Sequence, residues 1–159
     1  MSVHQELQII GLLSPADQQA GGITPDSINM GLLHKVQIIF LTGVVTGDGA
    51  TIQFYSGATN AAKTTEFYPY YRLGGADIGT TGSDVRGART VTPSGGILLT
   101  AAASWDETLI TVDIQSDELT AGQPFLTMSV EDGSASALFM AIVAIGWPRF
   151  EGHTHVTVV

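Results

Sequence analysis

The chain has 159 residues, of which 44% are hydrophobic and 13% are charged, against roughly 25% charged in an average soluble domain. Six scattered basic residues against fifteen acidic ones give a net charge of −9, so neither nucleic acid nor an acidic membrane surface is predicted as a partner. The sequence contains no cysteine, which excludes disulfides, a thiolate nucleophile and a cysteine-ligated metal.

The N-terminal part, residues 1–29, is predicted to hold one strand followed by a loop. Glu6–Leu13 has the apolar content of a strand. Ser14–Asp17 is predicted to form one helical turn, because serine caps and proline opens such a turn. Residues 23–29 are predicted to be a loop. Met30–Val45 follows as a long central strand with apolar residues on both faces.

Two further strands are predicted in the next part of the chain. Thr46–Gly49 contains Asp-Gly between strand-like runs, which predicts a hairpin turn into Ala50–Ser56. Ala50–Ser56 alternates apolar with polar residues and is therefore predicted to be half exposed. A loop over 57–65 leads to Glu66–Leu73, an aromatic-rich segment in which Pro69 favours an edge strand or a bulge.

Residues 74–96 contain seven glycines and few large apolar side chains. Segments of this length without regular structure are uncommon inside compact domains and are usually functional. We therefore predict a long glycine-rich interaction loop here, with a short hairpin around Val85–Val91.

The last third of the chain has the clearest strand pattern. Ile97–Ala102 predicts a short strand, and Trp105–Thr108 predicts a turn. Leu109–Gln115 follows as a half-exposed strand whose isoleucine and valine side chains face inward. After a connection over 116–123, Pro124–Glu131 shows the same alternation of apolar with polar residues.

Ala137–Ile145 is a run of nine residues without a polar side chain. Asp132–Ser134 predicts a tight turn that pairs this run with Pro124–Glu131 as a hairpin. A short buried helix is the alternative because alanine favours one, whereas the β-branched residues and Pro148 favour a strand. A two-layer β domain covers only the inner face of each sheet, so the outer face of this strand needs cover from a loop, a neighbouring subunit or a partner. Its two faces carry Leu138, Met140 and Ile142 against Phe139, Val143 and Ile145.

These elements predict a single all-β domain over 1–159, an antiparallel β-sandwich with a jelly roll as the specific winding. Residues 152–159 form a predicted C-terminal tail that is able to add to a neighbour's sheet edge. The N-terminus lacks a signal-peptide pattern, and no apolar run reaches the roughly 20 residues that a bilayer requires. The chain is therefore expected to be made in a cytoplasm and to stay soluble until it meets a partner.

The residue pattern contains no signature of catalysis, so the protein is predicted not to be an enzyme. His153 and His155 share one strand face and would reach a metal together with Glu151. A chain end is a poor place for rigid ligands, so a docking tail is preferred, and neither a metal nor a cofactor is predicted. The carboxylates lie mainly in predicted turns, where a solvated acidic surface is favoured over a catalytic pair.

An aromatic cluster with an adjacent arginine spans residues 67–72. Tyrosine and arginine anchor many interfaces, because each combines a large contact area with a polar tip. The alternative is that these aromatic side chains fill the core of the sandwich. The side chains predicted to bind a partner are Tyr68, Tyr70, Tyr71, Arg72, Arg86 and Arg89.

Three segments stand out beside the loop-rich middle: LITVDIQSDEL from Leu109, PFLTMSVED from Pro124 and ALFMAIVAIGWPRFE from Ala137. In layout, the chain resembles the decoration, or cement, proteins of tailed bacteriophages, which have β-sandwich or jelly-roll folds. The resemblance implies a non-enzymatic virion protein, often a homotrimer, that is made in the host cytoplasm. Such a protein sits on the capsid exterior and stabilises contacts between capsomers.

The partners that this resemblance implies are the major capsid protein and further copies of the chain. Arg72, Arg86 and Arg89 would pair with acidic capsid patches, and the 74–96 loop would become ordered on contact. Two alternatives stay open: a carbohydrate- or receptor-binding module at a virion surface, and another head or tail component. The carbohydrate-binding alternative would use Tyr68, Tyr70, Tyr71 and Trp105.

Overall fold

Two antiparallel sheets pack face to face in the computed structural model, which confirms the predicted all-β sandwich. The structure describes residues 7–17, 22–46, 50–74, 85–102, 105–131 and 138–149. In these ranges, 3-10 helices span Met30–Leu32 and Ser116–Glu118. The strands are β1 (Gln8–Asp17), β2 (Ile28–Asn29), β3 (Leu33–Val45), β4 (Ala50–Gly57), β5 (Thr65–Glu66), β6 (Tyr70–Leu73), β7 (Thr90–Val91), β8 (Ile97–Leu99), β9 (Leu109–Gln115), β10 (Phe125–Glu131) and β11 (Leu138–Pro148).

Most strands that follow one another along the chain do not pair with each other in a sheet. The larger sheet has the order β1-β11-β3-β9-β6-β7. The smaller sheet has the order β2-β10-β4-β5, and β8 also pairs with β4. Among the described strands, only β4–β5 and β6–β7 are consecutive pairs, so almost every connection crosses from one sheet to the other.

One apolar cluster fills the space between the sheets. Alternate residues of β3, β9 and β11 point into it from the larger sheet, and alternate residues of β4 and β10 meet them from the smaller one. Phe40 on β3 and Phe54 on β4 are fully buried and meet edge to face, with their ring centroids 6.2 Å apart. This contact joins the two sheets directly.

The most regular strand patterns are confirmed. β9 has the predicted bounds, and its inward Ile110, Val112 and Ile114 are fully buried. β3 and β11 are both central strands, as predicted, because β11 lies between β1 and β3 while β3 lies between β11 and β9. A short helix was the alternative prediction for Ala137–Ile145, and the structure instead has the strand β11 from Leu138.

The hairpins predicted at Thr46–Gly49 and at Asp132–Ser134 are wrong. β3 precedes the Asp-Gly pair and β4 follows it, but these two strands belong to different sheets, and β10 and β11 also belong to different sheets. β10 pairs with β2 and β4, whereas β11 pairs with β1 and β3. A turn signal is local and specifies only that the chain reverses. Long-range pairing decides which sheet receives the next strand.

The helical turn predicted over Ser14–Asp17 is also wrong, because β1 continues to Asp17. Its pairing with β11 shifts register between Gly11 and Leu13 and again between Leu13 and Ala16. Proline is tolerated there because β1 is an edge strand, where a backbone N–H is not required for the ladder.

The segment with Pro69 is split between the two sheets instead of forming one edge strand. β5 pairs with β4 in the smaller sheet, and β6 pairs with β9 in the larger one. Pro69 is buried at the crossing, where its carbonyl oxygen accepts hydrogen bonds from the Thr92 backbone N–H and hydroxyl at 2.9 and 2.6 Å. Part of the predicted 74–96 loop is ordered by this crossing, because β7 pairs with β6 instead of forming its own hairpin around Val85–Val91.

Several predicted features fall outside the described residues. These are the turn at Asp132–Ser134, the glycine-rich stretch 75–84 and the tail 152–159 with His153 and His155. Within the described ranges, no group of three His, Asp or Glu side chains is arranged to hold a metal ion. No helix in those ranges is long and apolar enough to cross a membrane.

Two adjacent glycines before β8 provide a matched test of packing. Gly95 and Gly96 both have a positive φ, 87° and 100°. A Cβ on Gly96 would lie 2.5 Å from the Ile52 carbonyl oxygen, whereas one on Gly95 would meet nothing within 4 Å. We expect Gly96→Ala to lower the free energy of unfolding by about 3 kcal/mol or more.

The control for this prediction is Gly95→Ala, which carries only the backbone cost of about 1–2 kcal/mol. Chemical denaturation of the two variants compares these losses. Equal losses would show that the close approach to β4 does not decide the choice of glycine at position 96.

Candidate functional site

The outer face of the smaller sheet is polar at β10 and is covered there. Thr127 and Ser129 point outward from β10 yet are at most 1% exposed. Ser27 Oγ lies 2.8 Å from Thr127 Oγ1 and accepts a hydrogen bond from the Ala61 backbone N–H at 2.9 Å. Lys63 Nζ donates to Ser129 Oγ at 2.8 Å. The loop that carries Ala61 and Lys63 therefore closes this face and satisfies its hydroxyls.

The outer face of the larger sheet is apolar across β1, β11 and β3. Ile9 on β1 lies opposite Ile145 on β11, and Val143 on β11 lies opposite Ile39 on β3. Side chains that are directly opposite in antiparallel strands lie within contact distance. The apolar half of this face is defined as Ile9, Ile39, Leu41, Phe139, Val143 and Ile145.

Three side chains of the apolar half are exposed to solvent in the isolated chain. Ile9 is 76% exposed, Phe139 is 51% exposed and Leu41 is 44% exposed. No loop within the described residues covers them as the loop at Ala61 covers the opposite sheet. The outer face of β11 thus presents the apolar surface for which the sequence predicts cover from a loop, a neighbouring subunit or a partner.

The Phe139 side chain lies beside Gly43 of β3, where a larger residue would collide with it. A Cβ built on Gly43 would lie 2.9 Å from the Phe139 Cβ and 3.8 Å from its Cγ. The ladder shifts register at this point, between Leu138 and Met140. The irregular pairing and the missing side chain at Gly43 together give the Phe139 ring its position on the outer face.

A charged cluster lies on the same outer face, further along the sheet. Its centre is Asp113 on β9, whose carboxylate oxygens lie 3.0 Å from Lys35 Nζ and 3.8 Å from Arg86 Nη2. Gln37 Nε2 donates to Asp113 Oδ1 at 3.1 Å. These side chains come from β3, β9 and the connection before β7, so the cluster exists only when those segments are paired. The basic half of the face is defined as Lys35, Tyr70, Arg72, Arg86 and Arg89 around Asp113.

Aromatic rings hold two cations of the basic half. The Arg89 Cζ lies 3.7 Å from the centroid of the Tyr70 ring, and Lys35 Nζ lies 5.1 Å from the centroid of the Trp147 ring. Cation–π contacts at exposed sites are worth about 0.5–1 kcal/mol. They keep these cations on the face without neutralising their charge.

The basic half is positively charged in a protein whose net charge is negative. Four of the six basic residues belong to it, and Asp113 is the one carboxylate on β3, β9, β6, β7 and residues 85–89. Lys63 lies over the smaller sheet, where it is bound to Ser129. Arg149 follows β11 and donates to the Leu33 carbonyl oxygen at 2.9 Å.

An acidic turn limits the basic half at the end of β9. Glu118 accepts a hydrogen bond from the Gln115 backbone N–H at 3.4 Å. The pKa of Glu118 is raised above its ordinary value, mainly by burial. The Gln115 hydrogen bond and Arg89 lower this pKa, whereas the negative charges of Asp117 and Asp113 raise it. The turn that carries Glu118 directly follows β9, so this carboxylate lies at the border of the cationic surface.

The structure brings together four of the six residues predicted to bind a partner. Tyr70 and Arg72 point outward from β6, and Arg86 and Arg89 reach the same face from the segment before β7. Arg72 also donates to the Gly87 carbonyl oxygen at 3.1 Å. Aromatic residues thus serve both roles that the sequence left open, because some line this face while others fill the core.

The other two predicted residues lie elsewhere. Tyr71 points inward from β6 and packs against the core. Tyr68 donates to Glu66 Oε2 at 3.2 Å, on the side of the smaller sheet. Trp105 is also partly buried against the core. Tyr68, Tyr70, Tyr71 and Trp105 therefore do not form one aromatic platform for a sugar ring.

Lys35, Asp113 and Trp147 also belong to this surface, although they were not predicted from the sequence. The alternation of β9 places Asp113 outward, and that signal was available from the sequence. Its proximity to Lys35 was not, because it depends on pairing between β3 and β9, which are more than 60 residues apart in the chain.

Neither a scan against known protein families nor a search of curated proteins returns a match to this chain.

Proposed function

We propose that this protein is a non-enzymatic virion structural protein that binds the outside of a phage capsid and stabilises contacts between capsomers. The observation that carries the proposal is the apolar half of the larger sheet, which no loop among the described residues covers. Soluble monomers rarely expose large continuous apolar patches unless those patches bind another protein or a membrane. The resemblance in layout to decoration proteins supports the capsid exterior as the place.

The contrast between the two outer faces supports a role in assembly. The smaller sheet buries its hydroxyl-bearing face under a loop of its own chain. The larger sheet presents apolar side chains beside a cluster of charged ones, and protein interfaces likewise combine apolar contact area with polar side chains at its border. One face of the domain is thus suited to pack against protein.

The strand order supports a jelly-roll winding, which is one of the two folds that the resemblance to decoration proteins implies. The sequence β1-β11-β3-β9 in one sheet and β2-β10-β4 in the other places the first strand beside the last and the second beside the tenth. Two sheets wound in this nested way are typical of jelly rolls. The winding brings the apolar β11 between β1 and β3, where its outer face joins theirs.

Light scattering coupled to size-exclusion chromatography, followed by binding to assembled shells, tests the proposal. Shells formed by the major capsid protein of the same genome are incubated with purified protein and separated by sedimentation. We expect a trimer in solution and saturable binding to intact shells. A monodisperse monomer that does not bind shells would overturn the proposal, and saturable binding on a glycan array would favour the receptor-binding alternative.

A further inference from the structure

The basic half is a concentration of positive charge on a strongly acidic protein. Lys35, Arg72, Arg86 and Arg89 share one face with a single carboxylate, Asp113, while the whole chain carries −9. The Arg86 side chain is 61% exposed, so its guanidinium is open to a partner. Charge segregation of this kind gives an interface its specificity and speeds association.

Several of these cations are positioned before any partner arrives. Arg89 is stacked on Tyr70, and one nitrogen of Arg72 is bound to a backbone carbonyl oxygen. A guanidinium has five N–H donors, so Arg72 retains further donors for a partner. Lys35 is fixed between Asp113 and the Trp147 ring. Positioned side chains lose less conformational freedom on binding, so a partner gains affinity from them.

We propose that the basic half binds an acidic polypeptide segment of the partner protein, with apolar side chains of that segment seated on the adjoining apolar half. This inference rests on the proposed function and names the chemistry of its partner. The complementary group is a carboxylate, because an arginine guanidinium binds one carboxylate through two parallel hydrogen bonds. The apolar half and the basic half are continuous on one sheet face, so one segment can contact both.

A polypeptide is favoured over nucleic acid by the arrangement of the charges. Asp113 lies in the middle of the cations and would repel a continuous phosphate backbone. Nucleic-acid surfaces need several clustered cations on a basic background, whereas this background is acidic. Discrete carboxylates, in contrast, reach Arg72, Arg86 and Arg89 singly and avoid Asp113.

Titration of isotope-labelled protein with a short oligoglutamate peptide, followed by amide and arginine side-chain NMR signals, tests the inference. We expect saturable shifts at Tyr70, Arg86 and Arg89 that weaken as salt rises from about 0.02 to 0.15 M. The double variant Arg86→Ala, Arg89→Ala should bind about tenfold more weakly. Lys63→Ala is the matched control, because it removes a cation from the other sheet, and it should bind like the wild type.

The outcomes separate the explanations. The double variant Arg86→Lys, Arg89→Lys should keep the salt dependence but bind less tightly than arginine, because lysine cannot form the planar fork. Absence of shifts at Tyr70, Arg86 and Arg89 at millimolar peptide would overturn the inference. Equal weakening in Lys63→Ala, or tighter binding of a DNA oligonucleotide of similar length at the same residues, would also overturn it.

Failure of this inference is distinguishable from failure of the proposed function. Shell binding that persists in high salt and in the Arg86→Ala, Arg89→Ala variant would reject the acidic segment while leaving the capsid role intact. Loss of all shell binding by the wild type would reject the capsid role, whatever the peptide titration gives.

Discussion

Replacing the three exposed side chains of the apolar half by threonine is expected to weaken association by about 100-fold. The variant carries Ile9→Thr, Leu41→Thr and Phe139→Thr, which keep β-branched or strand-compatible residues on the outer face. Each substitution removes roughly 1 kcal/mol of apolar burial from the interface. The three together remove about 3 kcal/mol, which corresponds to roughly 100-fold in affinity. Light scattering at a series of protein concentrations and sedimentation with shells measure the change.

The control for this variant is Leu98→Thr. Leu98 is 52% exposed on β8 of the smaller sheet, so it matches the exposure of Phe139 but lies outside the apolar half. We expect Leu98→Thr to associate like the wild type and all variants to keep their unfolding midpoints within a narrow range. Undiminished association of the triple variant would show that the apolar half is not the contact surface.

Phe54→Ala is expected to lower the free energy of unfolding by about 3–5 kcal/mol. Phe54 is fully buried, meets Phe40 edge to face and lies 6.4 Å from the Phe67 ring centroid. Its removal leaves a cavity between the sheets and deletes the aromatic contact that joins them. Since folded domains are stable by only about 5–15 kcal/mol, this is a large part of the total. Equilibrium denaturation measures it.

The chain offers the same substitution at an exposed site as a control. Phe139→Ala removes a ring that is 51% exposed, and we expect a loss of about 1 kcal/mol or less in the isolated protein. A double-mutant cycle with Phe40→Ala isolates the aromatic pair, for which about 0.5–1.5 kcal/mol of coupling is expected. A Phe54→Ala loss no larger than that of Phe139→Ala would contradict the assigned core.

Apolar residues have two different roles in this chain. Phe54 stabilises the fold, because its cover is supplied by the opposite sheet. Phe139 has no such cover among the described residues, and in the proposed interface a second molecule would supply it. Substitutions at the first site should change stability in every assay, whereas those at the apolar half should change association and leave folding largely intact.

The fold class was predictable because alternation is a local pattern. β9 and β10 alternate apolar and polar residues, and both form as predicted with their apolar side chains in the core. The burial of Thr127 and Ser129 was not predictable, because the loop that covers them lies more than 60 residues earlier in the chain. The same polar residues would face water in a sheet without that loop.

The candidate site was predictable in part. The sequence singled out Tyr70, Arg72, Arg86 and Arg89 by residue type, and the pairing of β6 with β7 and β9 places them on one face. Tyr68 and Tyr71 carried the same signal but lie elsewhere, because Pro69 marks the point where the chain crosses from one sheet to the other. A tyrosine signal alone does not specify which sheet it joins.

By itself, the sequence determined that the chain folds as two layers of strands and that its last described strand is apolar on both faces. Those properties follow from composition and from a period of two residues, which each strand carries independently of its neighbours. Only the tertiary structure decided that the supposed hairpins cross between sheets and that the open apolar surface adjoins a basic one. Both depend on pairing between distant segments, which is set by how well whole faces fit and not by any local signal.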